Sequence, residues 1–233
     1  MRRRLDVGET LSEVFSIYGA HAGVLLPLAF WLFLGVAIVD GIIGSRLSLL
    51  WIGIVVSTIA ATLYQGMVVG LVRDLQDGRR DASVRDLFDV AAPVVLPLIG
   101  AGLLSGLGIG VGLLLLIVPG LFLLTIWAVI APVIVIERSG VFAAFGRSRA
   151  LVRGNGWPVF WVVMVAFLIS LAGAVVFGGI AASISQGPLV RIVFSALAST
   201  ITAPITALAA GVLYYRLLAS ESADTPAGPP PVP

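Results

Sequence analysis

Residues 157–183 read WPVFWVVMVAFLISLAGAVVFGGIAAS, a run without one ionisable side chain. A bilayer's hydrocarbon core, about 30 Å thick, needs about 20 helical residues, and this run exceeds that length. Its apolar residues follow one another continuously. The every-second-residue alternation of a membrane β-strand is missing, so the segment reads as a transmembrane helix. Working outward, similar runs cover 22–43, 48–72, 92–117, 119–136 and 189–217. The fourth is short but sufficient, and the longer ones can tilt or run past the interface. Composition agrees: 59% of the 233 residues are hydrophobic and 11% charged, against about 25% charged in an ordinary soluble domain. Mean hydropathy is +1.12.

Arginine orients these spans. The chain has no lysine. Arg2, Arg3 and Arg4 precede span one. Arg73, Arg79, Arg80 and Arg85 lie between spans two and three, Arg138, Arg147, Arg149 and Arg153 between four and five, and Arg216 ends span six. Arg46 and Arg191 alone occupy the alternate loops. The excess of basic residues on one side predicts that both termini are cytoplasmic, in the inner membrane. A cleaved leader is not expected, because Ala20-His21-Ala22 precedes the apolar run rather than following it. The pI near 9.5 reflects these topogenic arginines, and no nucleic-acid partner is expected. Zero cysteines exclude disulfides and thiolate metal sites. The single domain is expected over 1–219, with 220–233 a disordered, proline-rich tail.

Three segments on the arginine side repeat one spacing, i, i+3, i+4, i+7: Leu11, Val14, Phe15, Tyr18; Val84, Leu87, Phe88, Ala91; and Val141, Ala144, Phe145, Ser148. Such spacing draws a stripe along a helix. Capping boxes are read at Thr10 with Glu13 and at Ser83 with Asp86, and a weaker cap at Gly140. Each segment leads to a proline (Pro27, Pro97, Pro158) and then to a pair of spans. The expectation is an all-α membrane protein of six transmembrane helices and about three cytoplasmic-side amphipathic interfacial helices. The stripes would lie in the interface, and the whole would form three parallel helix-plus-hairpin repeats.

Small residues allow helices to approach closely in lipid. Gly102, Gly106 and Gly110, with Gly108 and Gly112 alongside, and Gly66 with Gly70, are read as packing seams, expected within the chain. Span six carries a polar face of Ser195, Ser199, Thr202 and Thr206, interrupted by Pro204. It could line a solute path; the plainer reading is that its hydroxyls bond backbone carbonyls and neighbouring helices around the proline. Gln65 can hydrogen-bond across the bundle, Asp40 can reach water or Arg46, and His21 sits at the mouth of span one. Asp74, Asp77, Asp81, Asp86 and Asp89 alternate with four arginines and read as a self-neutralising loop rather than a metal site. One histidine and no cysteine leave no nucleophilic dyad or metal cluster.

The segment 119–157 is the densest. Pro119-Gly120 is read as the outer turn, with proline at a helix start. Glu137 can pair with Arg147 and set the angle between span four and the surface helix, and Arg149 and Arg153 face the headgroups, where each is worth about 1 kcal/mol near anionic lipid. Leu116 to Phe122 (LIVPGLF), Pro132 to Glu137 (PVIVIE) and Ala143 to Gly154 (AAFGRSRALVRG) together resemble the membrane domain attached to some bacterial glycerophosphodiester phosphodiesterases. They are similar, too, to related uncharacterised multi-pass prokaryotic membrane proteins. Gly8 to Tyr18 and Tyr214-Tyr215-Arg216 extend the likeness over most of the chain. The soluble phosphodiesterase domain, with its histidines and acids, is not in this sequence. What the resemblance implies is a membrane module without phosphodiesterase chemistry. The expected function is a non-enzymatic interaction or scaffold module without a cofactor. Its expected partners are membrane lipids and another membrane or cytoplasmic protein. The alternative is a permease or lipid-handling transporter.

Overall fold

The computed structural model describes residues 5–43, 47–78, 92–185 and 187–224. The helices among them are α1 (Val7–Ile43), α2 (Leu50–Gln76), α3 (Val95–Leu115), α4 (Ile117–Ile126), α5 (Ile130–Glu137), α6 (Val141–Val152), α7 (Gly156–Ile184) and α8 (Pro188–Asp224), with 3-10 turns at Leu47–Leu49 and Ala92–Val94. Among the described residues six stretches are long and apolar enough to cross a membrane: Val7–Ile43, Trp51–Gln76, Ala92–Leu115, Ile117–Glu137, Gly156–Ile184 and Pro188–Ser222. The protein is an all-α, multi-pass membrane protein.

Helix α8 is the centre of the bundle. Half of its most apolar window is buried, against 17% for those of α3 and α7, and it packs along α1, α7 and α2. Its small residues permit this: Gly211 lies against Val72 of α2, and Gly173 of α7 lies against the Thr202 methyl. Large apolar side chains point outward instead. Leu114 is 86%, Leu96 81% and Ile42 78% exposed, an arrangement suited to lipid and costly in water.

Local breaks follow identifiable backbone chemistry. Helix α1 departs from helical geometry at His21 (φ −118°, ψ 18°), ahead of Pro27. The kink separates the segment beginning at Val7 from span one. Thr10 is not the cap. The Asp6 carboxylate accepts the Glu9 N–H at 2.9 Å and the Thr10 hydroxyl donates to the Asp6 carbonyl at 2.6 Å. An aspartate cap therefore starts α1 one turn earlier than the threonine would. The turn between spans three and four is also shifted. Leu116, extended at φ −154°, ψ 132°, makes it alone, and Pro119 sits inside the first turn of α4, where its missing N–H costs nothing. Span four is divided: α4 ends at Ile126 and α5 starts at Ile130, just before Pro132.

The stripe of α6 has a different home from the one expected. Ala144, Ser148, Leu151 and Val152 are buried in the protein, while Phe142, off the stripe, is 84% exposed. The stripe packs against the break in span four, where Phe145 meets Trp127 edge to face, with centroids 4.9 Å apart. In α1, Thr10 and Val14 are buried and Phe15 is exposed. Gly140 starts α6 with extended backbone and no side-chain cap. The corresponding segment around Ser83 and Phe88 lies outside the described residues, as do Arg46 and Asp81 to Asp89. Helix α8 continues to Asp224, so the first residues of the expected tail are helical; 225–233 lie outside the described residues.

The glycine seam serves contacts within the chain. Gly102 faces Thr62 of α2, Gly108 faces the Trp127 ring, and Gly112 faces the backbone of Gly120, whereas Gly110 faces open space. A methyl on Gly112 would lie 2.9 Å from the Gly120 Cα, a backbone atom that cannot swing aside. Gly112→Ala is expected to destabilise the fold by about 1–3 kcal/mol, lowering the thermal unfolding midpoint in detergent. Gly110→Ala is expected to leave that midpoint unchanged or slightly raised.

Candidate functional site

Helix α5 ends at Glu137, and Arg138 in the left-handed region (φ 51°, ψ 36°) reverses the chain into α6. Two turns into α6, Arg147 ties its helix to two others at once. Its Nε donates to both oxygens of Glu137, at 3.0 and 3.3 Å. Its two terminal nitrogens donate to the two oxygens of Glu221 on α8, at 2.7 and 2.8 Å. The Tyr214 hydroxyl donates to Glu137 at 3.0 Å. The planar guanidinium suits this two-sided, bidentate arrangement, which a lysine ammonium cannot reproduce. The bond from Glu221 chiefly, helped by Glu137 and opposed by burial, holds the Arg147 pKa above its ordinary value.

A second arginine ties the other side of α8. Arg216 reaches Glu13 at 2.8 Å and Glu9 at 3.2 Å, both on the first turns of α1. The start of α1, the α5–α6 corner and the end of α8 therefore share one end of the bundle. Beneath the corner, the Ser148 hydroxyl donates to the Ile126 carbonyl at 2.8 Å. That carbonyl belongs to the last residue of α4, next to the break. A residue of the amphipathic stripe thus bonds a backbone acceptor inside an apolar span.

Arg149 and Arg153 behave differently from Arg147. Both are exposed and neither takes part in an ion pair of the described residues. They line an open groove of about 520 Å³ with Phe122, Ile126, Gly146 and Gly156. It runs into an apolar hollow of about 450 Å³ walled by Val118, Leu121, Phe122, Thr125, Trp157 and Phe160. Phe122, Ile126 and Gly156 line both. The Arg153–Gly154–Asn155 turn between α6 and α7 sets this rim, with Gly154 at φ +93°.

The other candidates lie apart. Gly120 packs against Gly112 and Leu113, and Pro119 lies next to it, at the far end of α4 from Ile126. The hydroxyls of Ser195, Thr202 and Thr206 bond carbonyls of their own helix, at Ile192, Ala198 and Ala203. Thr202 is buried and Ser199 half-buried. These residues do not form one lining face. Gln65 does face open volume. It borders a cleft of about 260 Å³ with Thr58, Thr62 and Ser105, and another of about 290 Å³ with Ser170 and Thr206. Trp127 lines both. Asp40 sits against Gly53 of α2.

Sequence reasoning named Glu137 and Arg147 but neither their partners Glu221 and Tyr214 nor the separate tie of Arg216 to Glu9 and Glu13. Glu9 and Glu13 stand four apart on one helix face, a signal for a shared cation. Glu221 was assigned to the tail, so no signal in the chain pointed to it.

The chain is similar to a UPF0259 membrane protein of Pectobacterium carotovorum. The two are 36% identical over 104 residues, which is 44% of this chain and 41% of the relative, so the match spans less than half of that protein's length. No family model matches the chain, and no solved structure does.

Two substitutions test the corner. Ser148→Ala should leave the buried Ile126 acceptor without its donor and cost about 1–3 kcal/mol, read as a lower unfolding midpoint in detergent. Arg147→Lys should fail to replace Arg147, so that limited proteolysis cuts near Glu221 sooner than in the unaltered protein.

Proposed function

We propose that this protein is a non-enzymatic interaction module of the inner membrane, with its arginine-rich end and both termini on the cytoplasmic side. Its working surface is that end, where it meets lipid headgroups and another membrane or cytoplasmic protein. The observation that supports this reading is the pair of arginine ties. Arg147 and Arg216 fasten the end of α8 to α5, α6 and the start of α1, which makes a preorganised platform of these elements. Preorganisation lowers the entropic cost of binding a partner. In this reading the likeness to membrane domains attached to glycerophosphodiester phosphodiesterases signifies a shared anchoring or docking role rather than shared catalysis. The three segments of like spacing would be three parallel repeats delivering surface helices to that platform.

A second reading, a permease or lipid-handling transporter, draws support from one observation: Gln65 borders clefts on both sides of Trp127. The cysteine-free sequence makes the two readings separable. Gln65→Cys and Thr206→Cys each introduce a unique thiol. For an interaction module, a membrane-impermeant maleimide should leave both unlabelled in native membranes from either side. Labelling at both positions would favour the transporter and overturn the proposal.

A further inference from the structure

We infer that the groove between α4, α6 and α7 binds one anionic phospholipid, its phosphate held by Arg149 and Arg153 and an acyl chain laid in the hollow walled by Leu121, Phe122 and Phe160. The inference rests on the reading of this end as a lipid-facing surface and names the ligand class.

The argument starts from the difference between the arginines. Arg147 and Arg216 are consumed by carboxylates of the protein. Arg149, in the last turn of α6, and Arg153, just past its end, have no carboxylate partner among the described residues, yet both border the same groove. A cationic rim of this kind attracts an anion. The groove does not end in water. It continues past Phe122, Ile126 and Gly156 into a hollow that is nearly all apolar and flanked by the exposed Trp157. Trp is a residue of the membrane–water boundary, so the charged rim falls at headgroup level and the hollow at acyl-chain level. A site with an anionic requirement at one end and an apolar requirement at the other matches an amphiphile. Each volume lies within the range of small-ligand pockets, about 300–1,000 Å³. A soluble phosphate would satisfy the rim alone, and a zwitterionic lipid would satisfy the hollow with a weaker rim contact. The first turn of α7, at Gly156, lines the groove as well, and its positive end favours the same sign of charge.

The test uses the full chain purified in an uncharged detergent, with lipid binding read by native mass spectrometry and by the shift in thermal unfolding midpoint. The probes are phosphatidylglycerol, phosphatidylcholine and inorganic phosphate. Phosphatidylglycerol should bind and raise the midpoint, phosphatidylcholine should bind at least several-fold more weakly, and phosphate should give no comparable shift. Replacing both arginines, Arg149→Gln with Arg153→Gln, should weaken phosphatidylglycerol roughly thirty-fold. Arg138→Gln, at the other end of α6, should not. Leu121→Trp, which fills the hollow, should weaken the diacyl lipid while leaving the lipid-free unfolding midpoint near that of the unaltered chain. Equal binding of the two lipids, a phosphate shift as large as that of the lipid, or undiminished binding by the double variant would overturn the inference. If the double variant fails to fold, the comparison of the three probes on the unaltered chain decides it. Loss of lipid binding with Gln65→Cys still unlabelled would remove the groove and leave the interaction-module reading standing.

Discussion

In hydrocarbon no water waits to bond a stray carbonyl or N–H, and the architecture of this protein follows from that constraint. Regular helix satisfies most of the backbone. Where the helix fails, the structure supplies another partner or covers the fault. Span four breaks between Ile126 and Ile130, and the Ile126 carbonyl takes the Ser148 hydroxyl. The buried Tyr64 hydroxyl donates to the Leu25 carbonyl, joining α2 to the proline-bearing α1. The hydroxyls of Thr200 and Thr202 turn back to carbonyls four residues earlier, around the site of Pro204. Polar side chains in this bundle serve the backbone before they serve anything else.

Packing obeys a second rule of the same solvent. Lipid tails are as apolar as leucine, so burial alone does not drive the helices together, and close approach does. Gly112 against Gly120, Gly102 against Thr62 and Gly173 against Thr202 are such approaches. At the centre stands α8, packed along α1, α7 and α2, with the carboxylate of Glu221 and the guanidinium of Arg216 at one end. That end is where charge is affordable, and there the arginines divide into two kinds. Arg147 and Arg216 hold the protein together; Arg149 and Arg153 project from its surface.

Six spans were legible because uncharged runs of twenty or more residues have few alternatives. The Glu137–Arg147 contact was legible because both residues flank one short turn. Other features depend on long-range geometry that the local pattern does not carry. Asp6 outcompetes Thr10 as a cap through a bond that a capping-box pattern at Thr10 hides. The stripe of α6 reads as amphipathic, but whether it faces lipid or protein depends on its contacts with Trp127 and the Ile126 carbonyl, distant in the chain. Glu221 stands in a segment of small and polar residues whose composition suggests a loose tail. Its bond to Arg147, seventy-four residues earlier in the chain, gives it a structural part. The polar face of span six is regular in sequence, yet its members end in different surroundings, because one helix face spans lipid, core and cleft along its length.

The threading of the chain is open to direct measurement through single cysteines placed at exposed serines. Ser12→Cys lies on the first segment of α1, Ser222→Cys at the end of α8, and Ser183→Cys at the opposite end of the bundle, near the close of α7. With an impermeant thiol reagent on intact cells, the account predicts labelling at position 183 alone, and labelling at 12 and 222 only after the membrane is opened. Labelling at 12 or 222 in intact cells, or at none of the three after permeabilisation, would contradict a chain that crosses the bilayer six times with its two ends fastened together on the inner side.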